Sequence, residues 1–423
     1  MEKLKRIISG IRRFAAQRES WIIGTLFMLA IWVIGMLMRY KLFPYHTPDM
    51  DFYLSSWYHY LAEHGGFAAV GDEFGDYTPA YYYILAALTY FDFDFASAIK
   101  LVSTAFDLIL SLFVMKIVQL REPAHSPLPL IAYAVTFCLP TVFLNSAAWG
   151  QCDAIYVTFL VAALYFILRG NDRAAMIMVG LSVAFKLQAV FFMPLVGILL
   201  IRKKIRWRSL LWIPGVYVLS IIPATIAGGD FKRLLTVYFR QSEQYPFLTM
   251  KLPNVYSIWG QSEIQVLGSA GIFFAGICVI TFMYFYITRK KLEITRASVI
   301  CLATLSAFLV PYVLPYMHER YMYLMEIMFV IFAFSNPKKI WLIFTTQFVS
   351  VKCLSIYLFA QEEPKTTELW LLALITMFHA AVVVYTLHKE IEPSDAKPLV
   401  MKYEKKQDEA PAAAPQETAE QTP

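Results

Sequence analysis

The sequence is poor in charge and has no cysteine motif, and both shortages narrow the class of protein. Only 16% of its 423 residues are charged, whereas 58% are hydrophobic, and this balance excludes an ordinary soluble domain. The five cysteines lie in or beside apolar runs without CxxC spacing, so neither a disulfide framework nor a zinc site is expected. No small-residue cleavage site follows Trp21–Met38, so we expect a retained first membrane span rather than a cleaved signal peptide.

Long apolar runs are what the sequence has instead. A hydrocarbon core about 30 Å thick needs about 20 helical residues, so the runs predict an all-α polytopic membrane protein with about twelve transmembrane helices. No strong internal repeat is visible. The expected spans are 21–38, 97–118, 129–146, 153–168, 174–185, 188–201, 209–227, 264–288, 297–314, 321–334, 340–359 and 368–387.

Basic clusters set the expected orientation, because cytoplasmic loops are enriched in Lys and Arg. The clusters Lys3–Arg18, Arg202–Arg208, Arg289–Arg296 and Lys338–Lys339 share one side only if the further apolar run Tyr77–Phe91 does not cross. This predicts twelve crossings with both termini cytoplasmic. The net charge of +6 therefore belongs to short loops and does not indicate a nucleic-acid partner.

The expected organisation is one large membrane domain with polar ends and two long extracytoplasmic loops. Since the cytoplasmic loops are short, the chemistry is expected on the outer face. The first long loop should carry two interfacial helices, near Phe52–Glu63 and Pro79–Phe91. The divisions are a basic N-terminus (1–20), the transmembrane domain (21–389), its two long loops (39–97 and 228–261) and a disordered cytoplasmic tail (390–423).

Two aspartates, Asp49 and Asp51, open the first long loop. A carboxylate at a watery cleft could accept a proton from an attacking hydroxyl, and the nearby Trp57 could stack on a sugar ring. The alternative is that both acids solvate the loop. Acids later in the loop could hold a divalent cation, but no ligand spacing indicates one, so no metal or cofactor is predicted.

Cationic groups near the outer face could bind a phosphate. Lys186 lies in the turn between two short spans, and Gln188 begins the second of them. Both should point into an outward cavity, where an ammonium could meet a phosphate. In His318-Glu319-Arg320, the arginine fork could hold phosphate oxygens bidentately. The alternative is an interfacial anchor in which Glu319 orients Arg320.

Trp149, Gln151 and Asp153 combine an aromatic ring, an amide and an acid at an expected external helix start, which suits contacts with carbohydrate hydroxyls. Alternatively, Asp153 favours the positive helix N-terminus and Trp149 belongs to an aromatic belt. Asp107 and Glu326 lie inside spans, where an unpaired charge is costly, so each should face protein or a water-filled cavity.

Six short segments occur in an order that spans most of the membrane domain. They are PDMDFYLSSWYHYLAEHGGF (48–67), DYTPAYYYILAAL (76–88), WGQCDAIYV (149–157), AFKLQAVFFMPL (184–195), LPNVYSIWG (252–260) and HERYMYLM (318–325). Together they resemble the C-type (GT-C) superfamily of polyprenyl-phosphate-sugar-dependent glycosyltransferases, most closely the bacterial relatives of the GPI mannosyltransferase of PIG-V type.

The resemblance implies an inverting transferase whose active site faces away from the cytoplasm. It implies that an early loop aspartate is the general base. Asp49 is the best match, while Asp51 stands where these relatives often carry Asn or another polar residue, so the choice between the two stays open. It places Lys186 and Arg320 near the donor phosphate. The stretch Tyr77-Thr78-Pro79 departs from the frequent Tyr-Pro-Pro form.

The implied reaction moves a hexose, mannose or another, from a polyprenyl-phosphate sugar to an envelope glycan, a glycolipid or a protein. The donor phosphate would meet Lys186, Arg320 and His318. A flippase of lipid-linked sugars and a membrane acyltransferase with His318 as base remain alternatives. The residues expected to contact the sugar or the acceptor are Trp57, Tyr77, Trp149, Gln151, Asp153, Gln188 and Glu319.

Overall fold

The computed structural model describes residues 22–122, 126–241, 247–259, 264–360, 365–392 and 397–404. Within these ranges the chain is helical apart from one pair of two-residue strands, which confirms the all-α prediction. The α-helices are α1 (Ile22–Tyr40), α2 (Ser55–Glu63), α3 (Pro79–Leu88), α4 (Phe95–Gln119), α5 (Leu128–Phe137), α6 (Pro140–Phe143), α7 (Asp153–Leu168), α8 (Asp172–Phe185), α9 (Met193–Ile201), α10 (Trp207–Leu210), α11 (Trp212–Ile226), α12 (Phe231–Leu235), α13 (Val237–Gln241), α14 (Ile264–Thr288), α15 (Arg296–Val313), α16 (Tyr323–Ser335), α17 (Trp341–Leu358) and α18 (Thr366–Tyr385).

Short helical turns and one small sheet complete the fold. The strands β1 (Thr249–Met250) and β2 (Met317–His318) pair in parallel and join the second long loop to the segment before α16. The 3₁₀ and π-helical turns are Met50–Leu54, Gly66–Ala69, Leu144–Trp149, Leu187–Phe192, Val255–Ile258, Glu319–Met322, Pro337–Lys339 and Thr386–Ile391.

Seven helical stretches among the described residues are long and apolar enough to cross a membrane, or eight if α5 and the bent segment Pro140–Trp149 form one span. Several other predicted spans coincide with helices that are too short. The longest of these, α7, has 16 residues and extends about 24 Å, less than a hydrocarbon core of about 30 Å. A membrane-embedded helical bundle is therefore confirmed, whereas the count of about twelve spans is not.

The centre of the bundle is formed by helices that are buried on almost all sides. Most residues of α15 are buried, and so is every residue from Tyr323 to Phe334 of α16. By contrast, most of α1 and α14 is not buried, and both helices expose large apolar side chains. Such outward apolar surface is stable in a lipid environment, so these two helices lie at the lipid-facing edge.

The basic loops lie together at one end of the bundle, as the charge pattern predicts. Arg202 donates to the carbonyl of Arg289 at 3.0 Å, and Arg289 pairs with Glu392 at 2.8 Å. Lys339 pairs with Glu390 at 3.2 Å, on the same turn as Glu392. We call this end the basic face; the fourth basic cluster, at the N-terminus, lies outside the described residues.

Part of the predicted disordered tail packs on the basic face. The backbone of Leu399 donates to the carbonyl of Ile294, and that of Lys402 donates to the carbonyl of Gly170, both at 2.7 Å. Leu399 and Met401 are buried. Because these apolar side chains find a place between loops, residues 397–404 are ordered, in contrast to the predicted disorder from residue 390; residues 405–423 lie outside the described residues.

The two charged residues expected to face protein inside the bundle do so. Asp107 of α4 pairs with Arg39 of α1 at 2.8 Å, and both side chains are fully buried. Glu326 of α16 accepts a hydrogen bond from Gln347 of α17 at 3.2 Å. The Arg39 contact fixes the end of α1 and hence the start of the first long loop.

Candidate functional site

The site begins where the first long loop is anchored to the bundle. The ammonium of Lys100 donates to the carbonyl of Phe43 at 2.9 Å, which fixes the segment between α1 and Asp49. Directly after Asp49 comes the π-helical turn Met50–Leu54, and the side chains at both ends of this turn are buried. These contacts place the Asp49 carboxylate at the rim of the bundle, where 25% of its side chain is exposed.

Asp49 is surrounded by three hydrogen-bond donors from two other parts of the chain. Trp149 Nε1 and Gln151 Nε2 donate to its Oδ2 atom at 3.0 and 3.3 Å. The Tyr357 hydroxyl donates to Oδ1 at 2.8 Å. A carboxylate offers about four acceptor positions. Three described donors therefore leave about one position, on Oδ1, for a further donor such as a substrate hydroxyl.

Gly150 explains how Trp149 and Gln151 reach the same carboxylate oxygen. It follows the π-helical turn Leu144–Trp149 and has a φ of +72°, a conformation that side chains disfavour. A Cβ atom at this position would also collide with the side chain of Met50. Glycine thus permits both the sharp turn and the close approach of the loop that carries Asp49.

Arg320 lies next to Asp49 and has hydrogen-bonding capacity to spare. Its Nη1 atom is 3.7 Å from Asp49 Oδ2, and its guanidinium carbon is 5.5 Å from the centre of the Trp149 ring. The residue is 92% buried, and neither Nε nor Nη1 has a hydrogen-bond partner among the described residues. Burial alone would lower the pKa of Arg320, but the surrounding phenol and carboxyl groups raise it, so the guanidinium is charged.

A second acid–base pair lies near Arg320. Asp153, at the first residue of α7, forms a buried ion pair with Lys186 and accepts a hydrogen bond from Asn145 at 2.9 Å. The charge of Arg320 also acts on Asp153. Asp49, Arg320, Asp153 and Lys186 therefore form a row of alternating charges that nearly cancel when no ligand is bound.

Asp49 and Asp51, the two candidate bases, lie in different surroundings. Asp51 is 54% exposed and pairs with His46 at 2.9 Å, away from the row of charges. Trp57 is buried, and its ring packs edge-on against Tyr77 and Tyr82 with centroid distances of 5.0 and 5.8 Å. Since its ring faces these tyrosines, Trp57 is part of an aromatic cluster in the first loop rather than an open platform.

The remaining predicted residues border the site. His318 Nδ1 lies 2.6 Å from Glu319 Oε2, and the His318 ring is 6.1 Å from Trp149. Pairing of β2 with Met250 in β1 holds this segment in place. The Gln188 Oε1 atom is buried without a hydrogen-bond partner among the described residues, so it is available to a ligand hydroxyl.

Two neutral groups line the same region. Burial raises the pKa of the Tyr77 phenol well above its ordinary value, and Lys186 Nζ lies 6.0 Å from the centre of this ring. Burial also raises the pKa of the Cys152 thiol, which does not favour a thiolate nucleophile. Within the described ranges, no group of three or more His, Cys, Asp or Glu side chains is placed to hold a metal ion.

Sequence reasoning missed three residues of the site. Tyr357 ends a predicted span and resembles an interfacial belt residue, and Asn145 lies inside a predicted span. Lys100 lies in the second turn of α4, inside the predicted span 97–118. Polar side chains within apolar runs were the available signal for Asn145 and Lys100, whereas Tyr357 gave none.

The fold and the site define a polytopic membrane protein with an acid–arginine–acid–lysine row at the end of its bundle opposite the basic face. The chain belongs to glycosyltransferase family 87, whose family model matches residues 76–311, more than half of the chain. Nothing among the curated proteins matches the chain. The matched region contains Trp149, Asp153 and Lys186, whereas Asp49 and Arg320 lie outside it.

Family membership makes the protein a membrane glycosyltransferase. It therefore favours the glycosyltransferase prediction over the flippase and the acyltransferase with His318 as base. A sugar donor and an acceptor follow from the family in general terms. The relation to the GPI mannosyltransferase of PIG-V type, the polyprenyl-phosphate donor and the preference for mannose stay predictions.

Proposed function

We propose that this protein transfers a hexose from a polyprenyl-phosphate sugar to an acceptor hydroxyl, with Asp49 as the general base. The observation that carries the proposal is the geometry of Asp49 and Arg320. A partly exposed carboxylate with an acceptor position to spare lies 3.7 Å from a guanidinium that has unused N–H groups. Such a site can take a proton from one substrate and bind the phosphate of another.

The chemistry balances with these two groups. Asp49 removes the proton of the acceptor hydroxyl while its oxygen forms a bond to C1 of the sugar. The bond from C1 to the phosphate oxygen breaks, and its electron pair stays on the departing polyprenyl phosphate, which gains one negative charge. Attack opposite the leaving group inverts the anomeric centre, and the proton on Asp49 then passes to water.

Arg320 is the best-placed group to stabilise that departing charge. Its donors can form short charge-assisted hydrogen bonds to two phosphate oxygens. Lys186 is already paired with Asp153, so its support for the phosphate acts across that pair. Electrostatic stabilisation of a developing charge is a large part of catalysis. We therefore expect loss of the Arg320 side chain to slow sugar transfer more than loss of the Lys186 side chain.

The sugar and the acceptor would lie between this row of charges and the first loop. Gln188 offers an unused acceptor atom, and Gln151, Trp149 and Glu319 border the same space. We propose mannose as the first sugar to test, following the PIG-V resemblance. The acceptor is an envelope glycan, a glycolipid or a protein at the outer surface of a bacterial plasma membrane, with the basic face cytoplasmic.

Asp49, rather than Asp51, is the proposed base because Asp49 shares the site with Arg320, whereas Asp51 pairs with exposed His46. The purified protein would be supplied with synthetic polyprenyl-phosphate hexoses, mannose among them, and sugar transfer would be measured for Asp49→Asn and Asp51→Asn. We expect Asp49→Asn to lose activity by about 10²- to 10⁴-fold, the range of general-base catalysis. Asp51→Asn should stay within a few-fold of the wild type.

Two results would overturn the proposal. The first is full sugar transfer by a folded Asp49→Asn variant, with folding judged by an unchanged melting temperature. The second is labelling that places residues 49–76 on the same side of the membrane as the amino terminus, since the site would then face the cytoplasm.

A further inference from the structure

A groove runs along the lipid-facing side of the bundle, far from the proposed catalytic site. It lies between α14 and α18, with α15 as its floor, and has a volume of about 590 Å³. This volume is within the range of about 300–1,000 Å³ that is usual for sites of small ligands. Its lining is almost entirely apolar and includes Phe282, Leu305, Phe308, Met377, Ala381 and Val384.

The length of the groove matches one leaflet of a bilayer. The lining residues of α18 and of the π-helical turn that follows it run from Met377 to Lys389, which corresponds to about 18 Å along a helix. Half of a hydrocarbon core is about 15 Å thick. Because α18 ends at the basic face, the groove extends from near the middle of the bundle to that face, as an acyl chain in that leaflet would.

The end of the groove at the basic face is cationic. His388 and Lys389 line this end, and His388 Nδ1 lies 2.9 Å from Glu392. Lys389 is exposed, and so are Lys290 and Lys291 just beyond α14. Stretches 289–293, 338–339 and 388–392 together contain six Lys and Arg residues and three Glu residues. This excess of positive charge complements an anionic headgroup at the membrane surface.

We propose that this groove binds one acyl chain of an anionic phospholipid, whose phosphate lies against Lys389 and the lysines that follow α14. An acyl chain fits because the lining is apolar and as long as one leaflet. The donor lipid is a poorer fit, since its phosphate is proposed to bind Arg320 at the opposite end of the bundle. The inference does not depend on the proposed sugar transfer.

The test uses native mass spectrometry and thermal unfolding of the purified full chain. Phosphatidylglycerol and phosphatidylcholine with the same acyl chains would be added separately. We expect wild type to retain phosphatidylglycerol at least tenfold better and to melt several degrees higher with it. Equal retention of the two lipids would overturn the proposal, and so would an equal thermal shift with free glycerol phosphate, which has no acyl chain.

Variants locate the binding site. Ala381→Trp fills the groove and should lower phosphatidylglycerol retention about tenfold, whereas Ala270→Trp, the same change at an exposed position of α14 near its other end, should not. Lys389→Gln should weaken the preference for the anionic lipid, and Lys232→Gln on the opposite face is its control. Unchanged retention in Ala381→Trp would overturn the proposal. Normal retention in that variant together with weaker donor use would assign the groove to the donor chain instead.

Discussion

The hydroxyl of Tyr357 holds both the side chain and the backbone of Asp49. It donates to Oδ1 at 2.8 Å and accepts a hydrogen bond from the backbone nitrogen at 3.2 Å. The ring of Tyr357 stacks on Trp149 with a centroid distance of 4.6 Å. The last turn of α17 therefore fixes both the proposed base and one of its hydrogen-bond donors, although Tyr357 and Asp49 lie 308 positions apart in the sequence.

Tyr357→Phe should slow sugar transfer while the ring stack on Trp149 is kept. The variant removes the hydroxyl that orients Asp49, and a hydrogen bond to a charged group contributes about 1.5–3 kcal/mol. At about 1.4 kcal/mol per tenfold change, we expect kcat to fall about ten- to a hundredfold. The KM for the donor should change little, because Tyr357 does not belong to the proposed phosphate site.

The control for this variant is Tyr312→Phe, which also removes a hydroxyl that is bound inside the bundle. Tyr312 donates to the carbonyl of Ala373 at 3.0 Å, away from the site. Its loss should lower the melting temperature without a selective fall in kcat. An unchanged kcat in Tyr357→Phe, or an equal fall in Tyr312→Phe, would contradict a positioning role for Tyr357.

Arg320→Lys should raise the KM for the polyprenyl-phosphate donor. The substitution keeps the positive charge but removes the planar fork that can bind two phosphate oxygens. Loss of one charge-assisted hydrogen bond corresponds to about a ten- to hundredfold weaker interaction. Arg240→Lys is the matched control, because Arg240 forms an exposed pair with Glu73 at 3.1 Å on the same side of the bundle. Steady-state kinetics at varied donor concentration would show whether the two variants differ, and equal effects would argue against a phosphate site at Arg320.

Variants of the buried Asp153–Lys186 pair would show whether the pair supports stability, sugar transfer or both. Lys186→Met leaves Asp153 buried without its cation, which costs about 3–5 kcal/mol in comparable pairs. The double variant Lys186→Met with Asp153→Asn removes both charges and should recover most of the lost melting temperature. If Lys186 also supports the donor phosphate, the double variant will regain stability but not activity. Recovery of both would assign Lys186 a purely structural role.

The polar residues of the site could be predicted from the sequence, whereas the contacts between them could not. Asp49, Trp149, Asp153, Lys186 and Arg320 stand out because charged and polar groups are rare in an apolar chain. Their contacts could not be predicted, since the row of charges depends on how α7, α8 and α16 pack. The pairing of Asp153 with Lys186 is an example, because both residues had been considered separately as ligand contacts.

Helix lengths explain why the count of spans was less predictable than the fold class. Apolar runs around α7, α8 and α16 look like spans, but they are 16, 14 and 13 residues long. Helices shielded by protein need not match the bilayer thickness, and an apolar run does not show whether lipid or protein surrounds it. Tyr357 was missed for a related reason, since a tyrosine at the end of a span is usual at a membrane interface.

Gly170→Ala should destabilise the basic face and leave the catalytic site intact. Gly170 has a φ of +71°, and a Cβ atom there would lie 2.5 Å from the carbonyl oxygen of Val400. A left-handed conformation at a residue other than glycine costs about 1–3 kcal/mol. The clash should also weaken the packing of residues 397–404, so we expect a lower melting temperature and faster proteolysis of that segment. Gly276→Ala in α14 is the control, and it should raise the melting temperature. Nothing lies within 4 Å of its Cβ position. Replacing a glycine inside a helix by alanine stabilises the folded state by about 0.5–1 kcal/mol. If Gly170→Ala melted like the wild type, the docked segment would contribute nothing to stability.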